Sequence, residues 1–307
     1  MTKHLLLFIA VALSACGGTT ASISAPTANA VQPIRTETAT VVTHTAGPRP
    51  GSQAVAAALI VTPEAADQID ALLARGDGRA AVVVASGRSA EILFAVDADE
   101  PVFAASLYKL GVLLEAERRI DAGTLAPSES ITVTAADQSE GGSFTAAGSV
   151  LTIDEALERT IAISDNAAAL ALIRRLGVSN IQATLDRERI YLRFTSDGAI
   201  TTARGIATFF GQLVRGSLVS REASARMLAR LSRQKTVDRF PAALPAGAVI
   251  AHKTGNLGFA THDAGIVAGP GGAPVVLVVL TWDSGEQDGI DLIKEIAVLA
   301  YAGLART

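Results

Sequence analysis

Three short runs in the chain combine residue types that together could carry out acyl transfer: Ser106-Leu107-Tyr108-Lys109, Ser164-Asp165-Asn166 and Lys253-Thr254-Gly255. A serine hydroxyl attacks a carbonyl poorly until a base takes its proton, and an amine within hydrogen-bond reach can do so if it is neutral. Ser106 and Lys109 stand three residues apart where a helical stretch begins, so their side chains share one face. Burial and a second cation both lower a lysine's pKa, and Lys253 could supply that cation. The N-terminus of the helix favours negative charge developing beside Ser106. Ser164-Asp165-Asn166 falls between two helical stretches, where Ser and Asp would also serve as plain caps. Lys253-Thr254-Gly255 closes an apolar strand and offers a charge, a hydroxyl and a glycine that a substrate backbone could approach closely. Each run alone is common. Ser232-Arg233-Gln234-Lys235 repeats the Ser-x-x-Lys spacing and reads as a solvated helix end.

The elements that must hold these residues are legible from caps and periodicity. Thr62-Pro63-Glu64 predicts a helix to about Arg75, with an N-cap hydroxyl, Pro in the first turn and Gly76 after the end. Ala80–Ala85 and Glu91–Val96, separated by Ser-Gly-Arg-Ser, predict a hairpin. Helices are expected over Ser106–Ala122, after the Thr152/Glu155 capping box, over Asn166–Leu176 and over Thr202–Val214. Val249–Lys253, Ala264–Ala268 and Val275–Trp282 read as strands, and Gly289–Leu304 as a last amphipathic helix. Strands at both ends of the chain with helices between them predict an α/β (α+β) fold. An antiparallel sheet, flanked by helices and built from about 55–104 and 203–307, would carry an inserted all-α subdomain over about 105–202. A site is expected in the groove between the two.

Composition narrows the function classes. The formal net charge is −4 with scattered signs, so no basic footprint for nucleic acid is expected. Cys16 is the only cysteine, which excludes an internal disulfide and a cysteine-based metal site. His252, His262 and Asp263 lack a regular metal-ligand spacing, and neither a metal nor a cofactor is expected. Lys3 and His4, an apolar run from Leu5 to Leu13 and then Leu-Ser-Ala-Cys16 describe an export signal. The segment ending at Cys16 resembles a bacterial lipobox. It implies a signal peptide over 1–15, lipid on Cys16 and an extracytoplasmic, membrane-anchored protein in the cell envelope. Residues 16–54, rich in Gly, Thr, Ser, Ala and Pro, read as a tether before a catalytic region over 55–307.

Taken in order, the three runs resemble those of the class A β-lactamases and penicillin-binding proteins, which are serine acyl-hydrolases. Arg119-Ile120-Asp121-Ala122-Gly123 and Leu244-Pro245-Ala246-Gly247 extend the likeness across about 55–307. The resemblance implies Ser106 as the acylated nucleophile, Lys109 as its base and Ser164 as the proton relay to the leaving nitrogen. It further implies Asn166 on the substrate amide, with Lys253 and Thr254 on its carboxylate. Gly255 admits the substrate, and the N–H groups of Ser106 and Asn256 form the oxyanion hole. Its substrates would be β-lactams or peptidoglycan-like D-Ala-D-Ala peptides. Two family features have no counterpart here. Gly177–Thr202 is too short for the Ω-loop that carries a deacylating Glu, and of the acids in it, Asp186 and Glu188 read as a solvated face and Asp197 as a turn. The arginine that supports the substrate carboxylate is also not identifiable, because His262-Asp263 occupies its stretch. An envelope lipoprotein that kept the fold without catalysis is the alternative, disfavoured by the presence of Ser106, Lys109, Ser164 and Lys253 together.

Overall fold

The structure, a computed structural model, describes residues 58–306 apart from 77 and 140. The expected signal peptide, the lipidated Cys16 and the tether to residue 54 lie outside the described residues. Strand β1 (Leu59–Val61) leads into α1 (Pro63–Leu73), where the Thr62 hydroxyl accepts from the Ala65 N–H. The hairpin β2 (Arg79–Ser86) and β3 (Ile92–Val96) follows, then β4 (Val102–Phe103). A 3₁₀ turn over Ala105–Tyr108 opens α2 (Lys109–Asp121). After β5 (Ser130–Thr132) and β6 (Val150–Thr152) come α3 (Ile153–Ala162), with its Thr152/Glu155 capping box, α4 (Asn166–Leu176) and α5 (Val178–Arg187). Strands β7 (Leu192–Thr195) and β8 (Gly198–Thr201) precede α6 (Ala203–Val214), α7 (Arg221–Leu231) and the short α8 (Phe240–Ala243). The chain ends through β9 (Val249–Asn256), β10 (Ala260–Ala268), β11 (Pro274–Trp282), α9 (Glu286–Ala302) and β12 (Leu304–Arg306). No described helix is long and apolar enough to cross a membrane.

The main sheet is fully antiparallel in the order β3-β2-β11-β10-β9. Its central strands are apolar on both faces, the pattern of a sheet covered on each side. Ala81, Val83, Val276, Val278 and Leu280 point into a core shared with the inserted helices and α6. Val82, Val84, Val275, Leu277 and Val279 point into a second core under α1, α8 and α9. β1 pairs with β12 and closes the start of the domain onto its end.

The segment over 105–202 is chiefly helical, as expected, but two short antiparallel pairs are built into it. β5 pairs with β6, and β7 with β8, which also takes β4 as a partner. Only the Asp197-Gly198 turn of the second hairpin was read from sequence; its strands, Leu-Arg-Phe-Thr and Gly-Ala-Ile-Thr, are too short for periodicity to separate from loop. Helix α2 runs at the centre of this region, packed by α3, α4, α5 and α7, and its first residue is Lys109.

Candidate active site

The turn that presents Ser106 is pinned from three directions. The Ala104 N–H donates to the carbonyl of Ala199 on β8 (2.8 Å). Burial pulls the pKa of His262 down to about 4, and the ring lies between two carbonyls, with Nε2 2.7 Å from that of Phe103 and Nδ1 2.7 Å from that of Thr261. The Thr281 nitrogen lies 3.2 Å from the same Nδ1. His262 is thus a staple between β10 and β4 rather than a ligand. Gly255 lets β9 close on the same turn, since a Cβ there would lie 3.2 Å from the Ala105 Cβ and 3.3 Å from the Ala104 carbonyl oxygen. Ala105 itself sits in the left-handed region at φ +42, costly for any residue with a Cβ.

Because Ala105–Tyr108 is a 3₁₀ turn, side chains three apart eclipse, and Ser106 comes directly over Lys109. Lys109 Nζ lies 3.0 Å from Ser106 Oγ, 2.7 Å from the Ser164 carbonyl, 3.0 Å from Ser164 Oγ and 2.5 Å from Asn166 Oδ1. Burial first, and the Lys253 cation second, hold its pKa well below the ordinary lysine value, while Asp165 opposes them. A neutral amine has two N–H donors and one lone pair. The carbonyl and amide oxygens, which can only accept, take the two donors, and the lone pair is left to face a hydroxyl.

Ser164 reaches Lys109 because it too is left-handed, at φ +58, which turns both its carbonyl and its hydroxyl inward. Asp165 fixes the turn: its Oδ1 accepts from the Phe144, Ala167 and Ala168 N–H groups, and its Oδ2 from the Thr145 hydroxyl. It caps α4, which is half of what the sequence alone implied for this run, and it is wholly buried. Asn166 uses one N–H on the Gly141 carbonyl (3.0 Å).

From the other side, Lys253 Nζ donates to Ser164 Oγ (3.1 Å) and to the Thr254 carbonyl (2.8 Å). The Ser164 hydroxyl therefore sits between two amines, accepting from Lys253 while Lys109 Nζ lies 3.0 Å away on its other side. Complete burial pulls the Lys253 pKa down to about 7; Asp263 raises it and Arg239 lowers it. Arg239 is a residue the sequence reading missed. It is 2% exposed, donates from Nη1 to the carbonyls of Gly255 (3.3 Å) and His262 (3.1 Å), and its buried Nε makes no hydrogen bond. It comes from the segment before α8, where no spacing relative to the three motifs marks it. Asp263 holds that segment by accepting from the Phe240 N–H (3.1 Å) and bonds His252 Nδ1 (2.9 Å).

Ser106, Asn166 and Asn256 form the polar edge of a pocket that continues into apolar walls. Tyr108 lines it, with its ring edge-on to Phe194 of β7 (centroids 6.1 Å apart) and 5.4 Å from Lys109 Nζ. Among the described residues, no Asp or Glu lines it. Asp186 is bound to Arg193 at 2.7 Å on the outer surface, Glu188 is half-buried and Asp197 is exposed. Asn256 Nδ2 donates to Glu286 at the start of α9. Ser232 caps the C-terminal end of α7 and is exposed, its hydroxyl spent on the Ala229 carbonyl.

Comparison with known proteins bears on this geometry. A family model described as the beta-lactamase enzyme family matches residues 64–304. A beta-lactamase of Streptomyces fradiae is 32% identical over 171 residues, 50% of this chain and 56% of that protein. One of Streptomyces albus G is 33% identical over 165 residues, 47% and 52% respectively. The chain thus spans about half the length of the curated relatives it matches. Among solved structures, a PBP-A mutant in an acyl-enzyme complex with penicillin G superposes with a TM-score of 0.72 at 26% identity, covering 78% of this chain and 95% of that one. A beta-lactamase from Sphaerobacter thermophilus DSM 20745 gives 0.69 at 25% identity, covering 77% and 94%.

Proposed function

Because the chain belongs to the beta-lactamase enzyme family, we propose that it is a serine acyl-transfer enzyme that opens β-lactams, or cleaves related D-Ala-D-Ala-type amides, through an acyl-Ser106 intermediate. The observation that carries this reading is the placement of Lys109 Nζ 3.0 Å from both Ser106 Oγ and Ser164 Oγ, with its pKa held low.

The neutral Lys109 amine takes the proton of Ser106 as Oγ attacks the carbonyl carbon. The oxyanion faces the N–H groups of Ser106 and Asn256, donors already oriented before the reaction. The leaving nitrogen receives the Ser164 proton, and Ser164 is reprotonated from Lys109, so the amine is neutral again when acylation ends. Lys253, protonated, holds the substrate carboxylate with Thr254. Asn166 presents its remaining N–H to the substrate amide. Deacylation needs a water and a group to take its proton, a contribution of about 10²–10⁴-fold. With no carboxylate among the described residues that line the pocket, the acyl-enzyme accumulates and turnover is slow. Export and lipid attachment at Cys16 belong to the same reading, and would place the enzyme in the envelope where such substrates occur.

Intact-mass spectrometry over time with benzylpenicillin tests it. The mass of one penicillin should be added rapidly and lost slowly, Ser106→Ala should abolish the addition and Ser232→Ala should leave it. An unlabelled wild-type protein, or labelling that follows Ser232, would overturn the assignment; fast turnover without accumulation would overturn the deacylation argument alone.

A further inference from the structure

The second Ser-x-x-Lys run is only in part the solvated helix end that its sequence suggests. Ser232, Arg233 and Lys235 are exposed, but Gln234 between them is 6% exposed. Its Nε2 donates to the Ile161 carbonyl of α3 (3.1 Å), and its Oε1 accepts from the N–H groups of Lys235 (2.9 Å) and Thr236 (3.2 Å). The Lys235 N–H is shared with the Ala162 carbonyl at 2.8 Å. Ile161 and Ala162 are the last two residues of α3. The final carbonyls of a helix have no partner within it. These two find theirs on the segment that follows α7, and the Arg159 carbonyl takes the N–H groups of Ile163 (3.3 Å) and Asp165 (3.1 Å).

What stands next gives this capping its consequence. The residue just past a helix end often turns left-handed, and glycine is favoured there. Here Ile163 is the cap and Ser164 follows it at φ +58, with a Cβ. Such a conformation persists only where its surroundings over-determine it. Asp165 fixes the turn from the far side, through the N–H groups it accepts. Gln234 and Lys235 fix it from the near side, through α3. Helix α7 is itself tied to α3 by Arg230 on Asp154 (2.5 Å) and Arg233 on Glu158 (2.6 and 2.7 Å). Those ion pairs set where α7 lies, and Gln234 sets the last turn of α3.

We infer that Gln234, which lies outside the three motifs, is a positioning residue for the leaving-group proton: by clamping the end of α3 it keeps the Ser164 hydroxyl between Lys109 and Lys253. This rests on the acyl-Ser106 reading above. In that reaction the bond from Ser106 Oγ to the carbonyl carbon forms and the carbon–nitrogen bond breaks. The nitrogen takes the Ser164 proton, and Lys109 replaces it with the one it took from Ser106. An amine nitrogen does not leave without that proton, whereas a thiolate does. Misplacing a reacting group by about 1 Å costs about 10²-fold, so a loosened Ser164 should slow lactams and amides selectively.

The test is the second-order acylation rate, by stopped-flow and intact mass, for benzylpenicillin and for a phenylacetylglycyl thioester, read as their ratio. A ratio is read because a partial folding defect scales both rates together. Gln234→Met keeps most of the volume and removes the bonds to Ile161, Lys235 and Thr236. It should lower the penicillin-to-thioester ratio by about tenfold or more. Gln234→Asn, whose amide falls one methylene short of Ile161, should lower it less. Ser164→Ala should lower it most, and Gln234→Met added to Ser164→Ala should change it no further, since no hydroxyl is left to misplace. A ratio untouched by Gln234→Met, equal losses on the two substrates, or a further fall on top of Ser164→Ala would overturn the inference. A wild-type protein that reacts with neither substrate would instead strike the Ser106 reading itself, and this inference with it.

Discussion

The two walls of the groove are built on opposite principles. On one, Ser106, Lys109, Ser164, Asn166 and Lys253 form a dense polar cluster in which each short contact constrains the next. On the other, the β7–β8 hairpin presents Phe194, Gly198 and Ala199 and no ionisable group. The polar wall contains what is needed to break an amide and form an ester. In the proposed reaction the described apolar wall offers no group to take a water's proton. Making an acyl-enzyme and clearing it would thus be separate structural investments, and the geometry suits the first.

The comparison breaks most completely through Lys109. Replacing it with Ala removes the base while leaving Ser106 and its turn in place, and benzylpenicillin acylation should fall by about 10²–10⁴-fold. A loss under fivefold by stopped-flow would mean that another group takes the serine proton. The converse experiment puts chemistry on the apolar wall. Phe194→Glu places a carboxylate across from Lys109, and decay of the penicilloyl adduct should quicken by about tenfold or more. An unchanged lifetime would mean that water, rather than a base, is what the wall excludes.

A smaller effect tests the polar wall through pH. In the proposed reaction Lys253 binds a carboxylate as a cation, and burial pulls its pKa down to about 7. The charged fraction is high below that value and falls above it, so the cation is lost as pH rises. Acylation measured as kcat/KM, which reports the free enzyme, should drop severalfold from about pH 7 to about pH 8.5 for penicillins. It should not drop for an uncharged thioester of similar size. Lys109 moves the other way, because it acts as the neutral amine and gains activity as pH rises. A descending limb present with both substrates would show that Lys253 does not hold the carboxylate.

The polar wall was largely legible in the sequence, and the apolar wall was not. Ser106-x-x-Lys109, Ser164-Asp165-Asn166 and Lys253-Thr254-Gly255 are short, ordered, and made of residue types whose chemistry is specific. Caps at Thr62, Asp165 and the Thr152/Glu155 box marked helices because each satisfies backbone donors that any helix start exposes. Phe194 and Ala199 carry no such signal. Strands of four residues give too little alternation to register, and an apolar pocket residue looks like a core residue until its neighbours are known. Arg239 illustrates the same limit for a charged residue: only the fold brings it beneath Gly255 and His262, whose carbonyls it holds. His262 looked like a missing arginine and proved to be a strand staple, a role set by the Phe103 carbonyl 159 residues away.

The left-handed backbone of Ala105 ties heat tolerance to speed. Glycine takes that conformation without the Cβ penalty, so Ala105→Gly should relieve about 1 kcal/mol and raise the melting temperature by about 2–4 °C. The same change loosens the turn that holds Ser106 over Lys109 and removes the methyl that β9 packs against at Gly255. A thermal screen would therefore favour Ala105→Gly, while the variant should form the acyl-enzyme more slowly than the parent. Selection for robustness alone would thus erode the nucleophile turn, one of several places among the described residues where a residue with a Cβ is left-handed.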